Sequence, residues 1–259
     1  MPTAQESADR LYRALRERVP VPPLSEVDPE LDVDKAYEIS QALLARRIAD
    51  GERVLGKKIG LTSLAVQANL GIDSPDFGFL TDAMSYPNGS EVPISTSLIA
   101  PRAEGELAFV LRRDLQGPGI EESDVIDATE GVQACFEIVD SRIRNWEITL
   151  CDTVADNASC GFYVLGGDLT DPKRLDLVTC GMVVEKNGEV ASTGAGAACL
   201  GSPALAVAWL ANALAKYEIS LEAGETILSG SFVPLIPVEA GDEMRVRTSG
   251  AGEASVRFV

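Results

Sequence analysis

Pro101-Arg102-Ala103-Glu104-Gly105-Glu106-Leu107-Ala108-Phe109 is the stretch from which the rest of the chain is best read. The apolar alternation that continues to Leu111 predicts a strand. Residues two apart on a strand share a face, so Glu104 and Glu106 point together, while Leu107, Phe109 and Leu111 take the opposite, core-facing side. Two adjacent carboxylates repel unless a cation or a proton lies between them. The ordinary alternative is a solvated strand face carrying two surface glutamates. A third acid changes that balance. Glu137 sits in the apolar run Ala134-Cys135-Phe136-Glu137-Ile138-Val139, which reads as an interior strand. A glutamate there is costly to bury without a partner. Arg142 or Arg144 could pair with it, or it could face outward at an edge. Three carboxylates meeting at one point match the oxygen shell of Mg²⁺, with positions left for water or a chelating substrate.

Outward from that segment, the N-terminal part is helical. Ala8, Leu11, Tyr12, Leu15 and Val19 recur at helical spacing over residues 4–19. Pro20, Pro22 and Pro23 then make an extended linker. A second helix is expected from Asp34 to Asp50, with Ala36, Tyr37, Ser40, Leu43, Leu44 and Ile48 on one face and Gly51 as its C-terminal cap. From Val54 the texture becomes strands and turns: Val54–Leu61, Val132–Val139, Gly161–Leu165, a hairpin about Lys186-Asn187-Gly188, and closing strands near Thr226, Met244 and Ala254. Short helices are expected from Ser63 to Leu70 and over Val125–Ala128. Ser202-Pro203 opens a further helix, with Ser202 as cap and Leu205, Trp209, Leu210, Leu214 and Tyr217 as its buried stripe. The expected organisation is a helical arm over residues 1–53 and an α+β, strand-rich domain over residues 54–259. Regular βαβ alternation is absent, so the pattern is not a Rossmann fold.

Composition narrows the chemistry. The 259 residues include 22 Lys and Arg against 40 Asp and Glu, a net charge of −18, and no His. No Ser-His-Asp triad, Cys-His dyad or His-ligated zinc or haem can be assembled. General acids and bases must come from Asp, Glu, Lys, Tyr, Cys or water. The acidity argues against nucleic acid, but a small anionic substrate is acceptable where a local positive centre overrides the global field. The five cysteines form no CxxC pair and read as reduced, mostly buried thiols. A charged N-terminus and the lack of a long uninterrupted apolar run predict a cytoplasmic protein without a membrane partner.

Two further segments stand out. Lys57-Lys58-Ile59-Gly60-Leu61-Thr62-Ser63 puts a lysine in a short Gly-bordered strand followed by two hydroxyls, and Cys151–Gly161 sets small polar groups before a buried strand. Ser74-Pro75-Asp76-Phe77-Gly78 reads as a turn with an acid at its tip. In order along the chain, Lys58-Ile-Gly-Leu-Thr-Ser, Ser74-Pro-Asp-Phe-Gly, Pro101-Arg-Ala-Glu-Gly-Glu-Leu-Ala-Phe, Glu137-Ile-Val-Asp-Ser-Arg, Asp152-Thr-Val-Ala-Asp-Asn-Ala-Ser and Gly224-Glu-Thr-Ile-Leu-Ser-Gly-Ser-Phe resemble the 2-hydroxypentadienoate (2-keto-4-pentenoate) hydratases of the fumarylacetoacetase-like superfamily.

The resemblance implies a mixed β-roll, a Mg²⁺ or Mn²⁺ site on Glu104, Glu106 and Glu137, and a high-order homo-oligomer, with a decamer as one form. It also implies association with the next enzyme of an aromatic meta-cleavage pathway. On this reading the chain is a hydro-lyase that adds water at C4 of a 2-hydroxy-2,4-dienoate, through its 2-oxo tautomer, to give a 4-hydroxy-2-oxo acid. Lys58 and Asp76 would handle protons, and Thr62, Asp156 and Ser159 would contact substrate. Gly105 stands where relatives often carry a larger apolar residue. Three rivals compete: a 4-oxalocrotonate-type decarboxylase on the same fold, a 1,3-diketone hydrolase, which the lack of histidine disfavours, and a scaffold that binds metal without catalysis. Asp76 and the Asn157-Ala-Ser-Cys-Gly loop favour the hydratase over the decarboxylase.

Overall fold

The computed structural model describes residues 1–64, 67, 68, 72 and 74–259. Its strands are β1 (Val54–Gly60), β2 (Asp76–Thr81), β3 (Ser85–Tyr86), β4 (Ser90–Val92), β5 (Arg102–Leu111), β6 (Thr129–Val139), β7 (Cys160–Leu165), β8 (Gly181–Lys186), β9 (Glu189–Ala195), β10 (Thr226–Ser231), β11 (Ile236–Pro237), β12 (Glu243–Thr248) and β13 (Gly252–Phe258). The helices are α1 (Ala4–Glu17), α2 (Leu24–Val27), α3 (Val33–Ala49), α4 (Ile94–Ser97), α5 (Glu122–Ala128), α6 (Leu150–Ala155) and α7 (Pro203–Leu214).

Two sheets make a mixed α+β roll. The larger runs β2-β1-β10-β5-β6-β7-β3, with β11 added beside β5, and the smaller runs β4-β13-β12-β8-β9. They pack back to back through one face of β5 and β6. Gly105 lies at that contact: a Cβ there would come within 2.7 Å of Met182 Sδ and 2.9 Å of Val184. A larger residue at 105 would therefore push the sheets apart, unless those two side chains gave way. The opposite face of the larger sheet carries a separate small core of Leu80, Met84, Ala108, Cys135, Cys160, Tyr163 and Leu228. Both faces of β5 and β6 are covered, as expected of central strands with long apolar runs.

α1 begins with a capping box in which Thr3 and Glu6 satisfy each other's backbone N–H groups. α3 stops where Gly51 takes a φ of +97°, a left-handed conformation that costs glycine nothing. The N-terminal helices brace the site. Tyr37 on α3 stacks on Phe77 of β2 with ring centroids 4.1 Å apart. Ser25 donates from its backbone N and hydroxyl to Asp152 at 3.0 and 2.6 Å, tying α2 to α6.

Several expectations need correction. Val19 lies beyond α1 and is exposed, as is Ile48 on α3, where Ile39 takes the buried position instead. Helix α2 follows the prolines, in a stretch before α3 where no helix was expected. Leu205 points to solvent, and α7 buries an alanine-rich face with Val207, Leu210 and Leu214. Trp209 and Tyr217 are only half-buried. Ser202 provides no side-chain cap, because its hydroxyl bonds Glu122 of α5. Ser74–Gly78 is not a turn with an exposed acid: Asp76 opens β2 and is 1% exposed. The reason is pairing, since β2 runs antiparallel to β1 and Asp76 faces Gly60 across the ladder. The helix expected from Ser63 to Leu70 falls largely outside the described residues.

Candidate active site

The larger sheet's register assembles the three glutamates. β5 and β6 are antiparallel, with Glu104 opposite Glu137 and Glu106 opposite Cys135. Paired residues share a face, so Glu104, Glu106 and Glu137 project from the same side, the side opposite the sheet–sheet contact. Their carboxylate oxygens lie within 4.8 Å of one another. Glu106 and Glu137 are fully buried, and Glu104 is half-buried at the rim of a cavity. A solvated face is thereby excluded.

The cluster is incompletely satisfied. Glu106 Oε2 accepts the backbone N–H of Gly230 at 2.9 Å, whereas Glu106 Oε1 has no hydrogen-bond partner. Neither oxygen of Glu137 accepts a well-formed hydrogen bond, and its close neighbour is Lys58 Nζ at 3.2 Å. Arg142 and Arg144, the partners anticipated for Glu137, pair instead with Asp156 and Glu147. Burial, followed by the charge of Glu137, pushes the Glu104 carboxyl up to about 8. Burial and the neighbouring glutamates also hold Glu106 well above the carboxylate range. Buried oxygens left without donors and mutually repelling acids are what a hard divalent cation corrects, and an all-oxygen donor set suits one. The residues fit such an ion.

Lys58 joins the same face through register. On β1 it pairs with Leu228 of β10, which in turn pairs with Ala108 of β5, two positions from Glu106. Lys57 points to the other face, where it pairs with Glu225 at 2.5 Å. Asp76, opposite Gly60, lies on the Lys58 face too. Gly60 makes this approach possible: a Cβ at that position would sit 2.2 Å from Asp76 Oδ1 and 3.1 Å from Lys58 Nζ. Burial opposes charge on Lys58, but the carboxylates of Glu137 and Asp76 reverse that effect and hold the ammonium protonated. Burial raises the Asp76 carboxyl, and Lys58 partly counters it. Asp76 Oδ1 lacks a partner, while Oδ2 accepts a hydrogen bond from Thr153 Oγ1 at 3.3 Å. Thr153 Oγ1 is also 3.2 Å from Ser159 Oγ.

The loop bearing Ser159 is strained and clamped. Asn157, Ala158 and Ser159 hold φ values of 55°, 48° and 54°, left-handed conformations that non-glycine residues adopt only when their surroundings enforce them. Asn157 exchanges two hydrogen bonds with the backbone of Phe79, at 2.8 and 3.0 Å. Buried Arg142 bonds the Asp156 carboxylate at 2.6 Å and the carbonyls of Asp140, Asp156 and Cys160. Asp156, expected at the substrate, is thus spent on a buried ion pair behind the loop. Its backbone carbonyl also accepts the Ser159 N–H at 3.0 Å, which ties the ion pair to the loop.

Lys58, Asp76, Glu104, Thr153 and Ser159 line one cavity of about 270 Å³. Thr62 lies outside it. It is buried beside a second chamber of about 350 Å³ that shares Gly60, Leu61, Glu104 and Leu235 with the first. The site residues expected from the sequence leave out several that line the cavity, among them Thr153, Arg102 and Trp146. Arg102 was legible in principle, because it lies two residues before Glu104 on the same strand face. Thr153 and Trp146 come from helix α6 and an irregular segment, where no periodicity points inward.

Residues 58–259 match the family described as fumarylacetoacetate (FAA) hydrolase C-terminal. The chain is 52% identical to a 2-hydroxyhexa-2,4-dienoate hydratase of Comamonas testosteroni, covering 98% of this chain and 97% of the relative. It is 58% identical to a 2-hydroxypent-2,4-dienoate hydratase of Pseudomonas putida, covering 83% and 97%. Among solved structures it resembles the 4-oxalocrotonate decarboxylase from Pseudomonas putida G7 complexed with magnesium and adipate, with TM-score 0.95, 38% identity and coverage of 99% and 97%.

Proposed function

The chain belongs to the fumarylacetoacetate hydrolase C-terminal family and is a 2-hydroxydienoate hydratase, and on that premise we propose how its residues divide the work. The observation that carries the assignment is the convergence of three glutamates, two of them buried with orphaned oxygens, beside Lys58 and Asp76.

Glu104, Glu106 and Glu137 would hold one divalent ion. When bound, that ion supplies positive charge to the carboxylate and C2 oxygen of a 2-oxo acid, easing charge development there. Lys58, already protonated, would donate a hydrogen bond from Nζ to the C2 oxygen and return a proton to the carbon skeleton. Asp76 would act as general base through its free Oδ1, taking a proton from the water whose oxygen bonds C4. Loss of the 2-hydroxyl proton and protonation of C5 first turn the 2,4-diene into the 2-oxo-3-ene; as water bonds C4 the C3=C4 pair shifts toward C2 and its oxygen, and C3 is then protonated to give the 4-hydroxy-2-oxo acid. An elevated carboxyl pKa makes Asp76 a stronger base than a solvated aspartate. Thr153 and Ser159 would fix the Asp76 carboxylate and position the water. We assign Mg²⁺ or Mn²⁺ from the hard donor set, and read residues 1–53 as an arm on a catalytic domain of residues 54–259. We further propose a cytoplasmic homo-oligomer passing its product to the next catabolic enzyme. The free thiols of Cys135, Cys151, Cys160, Cys180 and Cys199 suit a reducing compartment.

The decarboxylase likeness motivates the decisive assay. A 2-hydroxydienoate should lose its ultraviolet diene absorbance without CO₂ release, and EDTA should stop the reaction. Release of CO₂ from a 2-oxo diacid in step with the absorbance change would transfer the chain to the decarboxylases.

A further inference from the structure

We propose that Arg102 anchors the substrate's C1 carboxylate and so makes the site selective for monocarboxylates with an apolar tail. This rests on the hydratase reading above. Arg102 shares the β5 face of Glu104 and Glu106, one same-face step nearer the end of the strand, and lines the cavity. Its guanidinium stacks over the Trp146 ring at 4.5 Å, and that ring is pinned by a 3.0 Å hydrogen bond from Nε1 to the Ala100 carbonyl. Among the described residues no carboxylate pairs with it, although Glu104 is its neighbour on the strand face. Stacking occupies the flat face of the group, leaving its in-plane N–H donors for a planar anion, the arrangement in which arginine recognises carboxylates.

Charge counting supports the assignment. Glu104, Glu106, Glu137 and Asp76 against Lys58 give −4 + 1 = −3. A divalent ion brings this to −1, and a monoanionic substrate returns it to −2, in a pocket with little solvent screening. Arg102 and Lys58 are the two cations lining the cavity, and Lys58 is committed to Glu137. The remaining wall is largely Ile72, Val139, Ile148 and Leu235. With Arg102 on C1, no cation is left among the described lining residues for a carboxylate at the far end.

The test is a binding cycle on the Mg²⁺-loaded protein, using 2-oxopentanoate, its uncharged amide and the diacid 2-oxoadipate, read by calorimetry and tryptophan fluorescence. Wild type should prefer the acid to the amide by roughly 10- to 100-fold. Arg102→Gln should cut that preference by about tenfold, to what the ion's charge alone gives, and Arg102→Lys should keep more of it. The Mg²⁺-induced thermal shift should be the same in both variants, showing an intact cluster. The proposal fails if Arg102→Gln keeps the preference, if it weakens acid and amide equally (a packing role against Trp146), or if it weakens only the diacid (a tail contact). Diene turnover by wild type separates the two levels: with turnover intact, a flat cycle removes the anchor and leaves the hydratase standing.

Discussion

Replacing Glu106 with Gln should uncouple thermal stability from divalent cations. Three carboxylates within 4.8 Å of one another repel pairwise by about 3.5 kcal/mol at an effective dielectric constant of about 20. Without a cation, the cluster must therefore hold protons or strain the fold. A divalent ion at about one hundred times its dissociation constant stabilises the native state by about 2.7 kcal/mol. For 259 residues the unfolding entropy is roughly 0.5 kcal/mol/K, so Tm should rise by ~5 °C. Glu106→Gln removes one charge and one ligand but keeps an oxygen able to accept the Gly230 N–H. The metal-free variant should thus be at least as stable as metal-free wild type, and its cation-induced shift should vanish. Differential scanning calorimetry after EDTA dialysis, with and without Mg²⁺ or Mn²⁺ near neutral pH, reads both quantities. A variant that keeps the full shift, or a wild type whose Tm ignores both ions, would refute the reasoning.

Three other substitutions probe separate parts of the site. Lys58→Met should cut turnover by about two to four orders of magnitude yet strengthen cation binding in calorimetry, because it removes an ammonium 3.2 Å from Glu137. Asp76→Asn should cost about 10²–10⁴ in kcat with the metal-induced Tm shift unchanged, since Asp76 stands outside the glutamate cluster. Arg142→Met strands the buried Asp156 carboxylate and should destabilise by ~3–5 kcal/mol in chemical denaturation, whether or not metal is present.

Much of the site was legible before folding because a strand's two-residue period is a local property. Glu104 and Glu106 had to share a face once residues 102–111 formed β5, and a glutamate inside the apolar run of β6 marked itself as unusual. Asp76 and Asp156 show where that logic stops. Both looked like polar residues of loops. Pairing with β1 made the first a buried strand residue beside Lys58, and Arg142 claimed the second for a structural ion pair. Arg102 was visible as a residue but not as a free cation, since its freedom depends on which carboxylates the fold brings near it.

Sequence alone determined which groups were available: acids, lysines and hydroxyls without histidine, alternating along strands in an order shared with a family of hydratases. Tertiary structure decided which of them meet. The β1-β10-β5-β6 register selected Lys58 over Lys57 and set Glu104 opposite Glu137, and the clamp on Asn157–Ser159 set the Ser159 hydroxyl against Thr153, which bonds Asp76. Such choices depend on hydrogen-bond register between segments far apart in the chain. A one-residue slip would reverse every face, and no local pattern encodes that alignment.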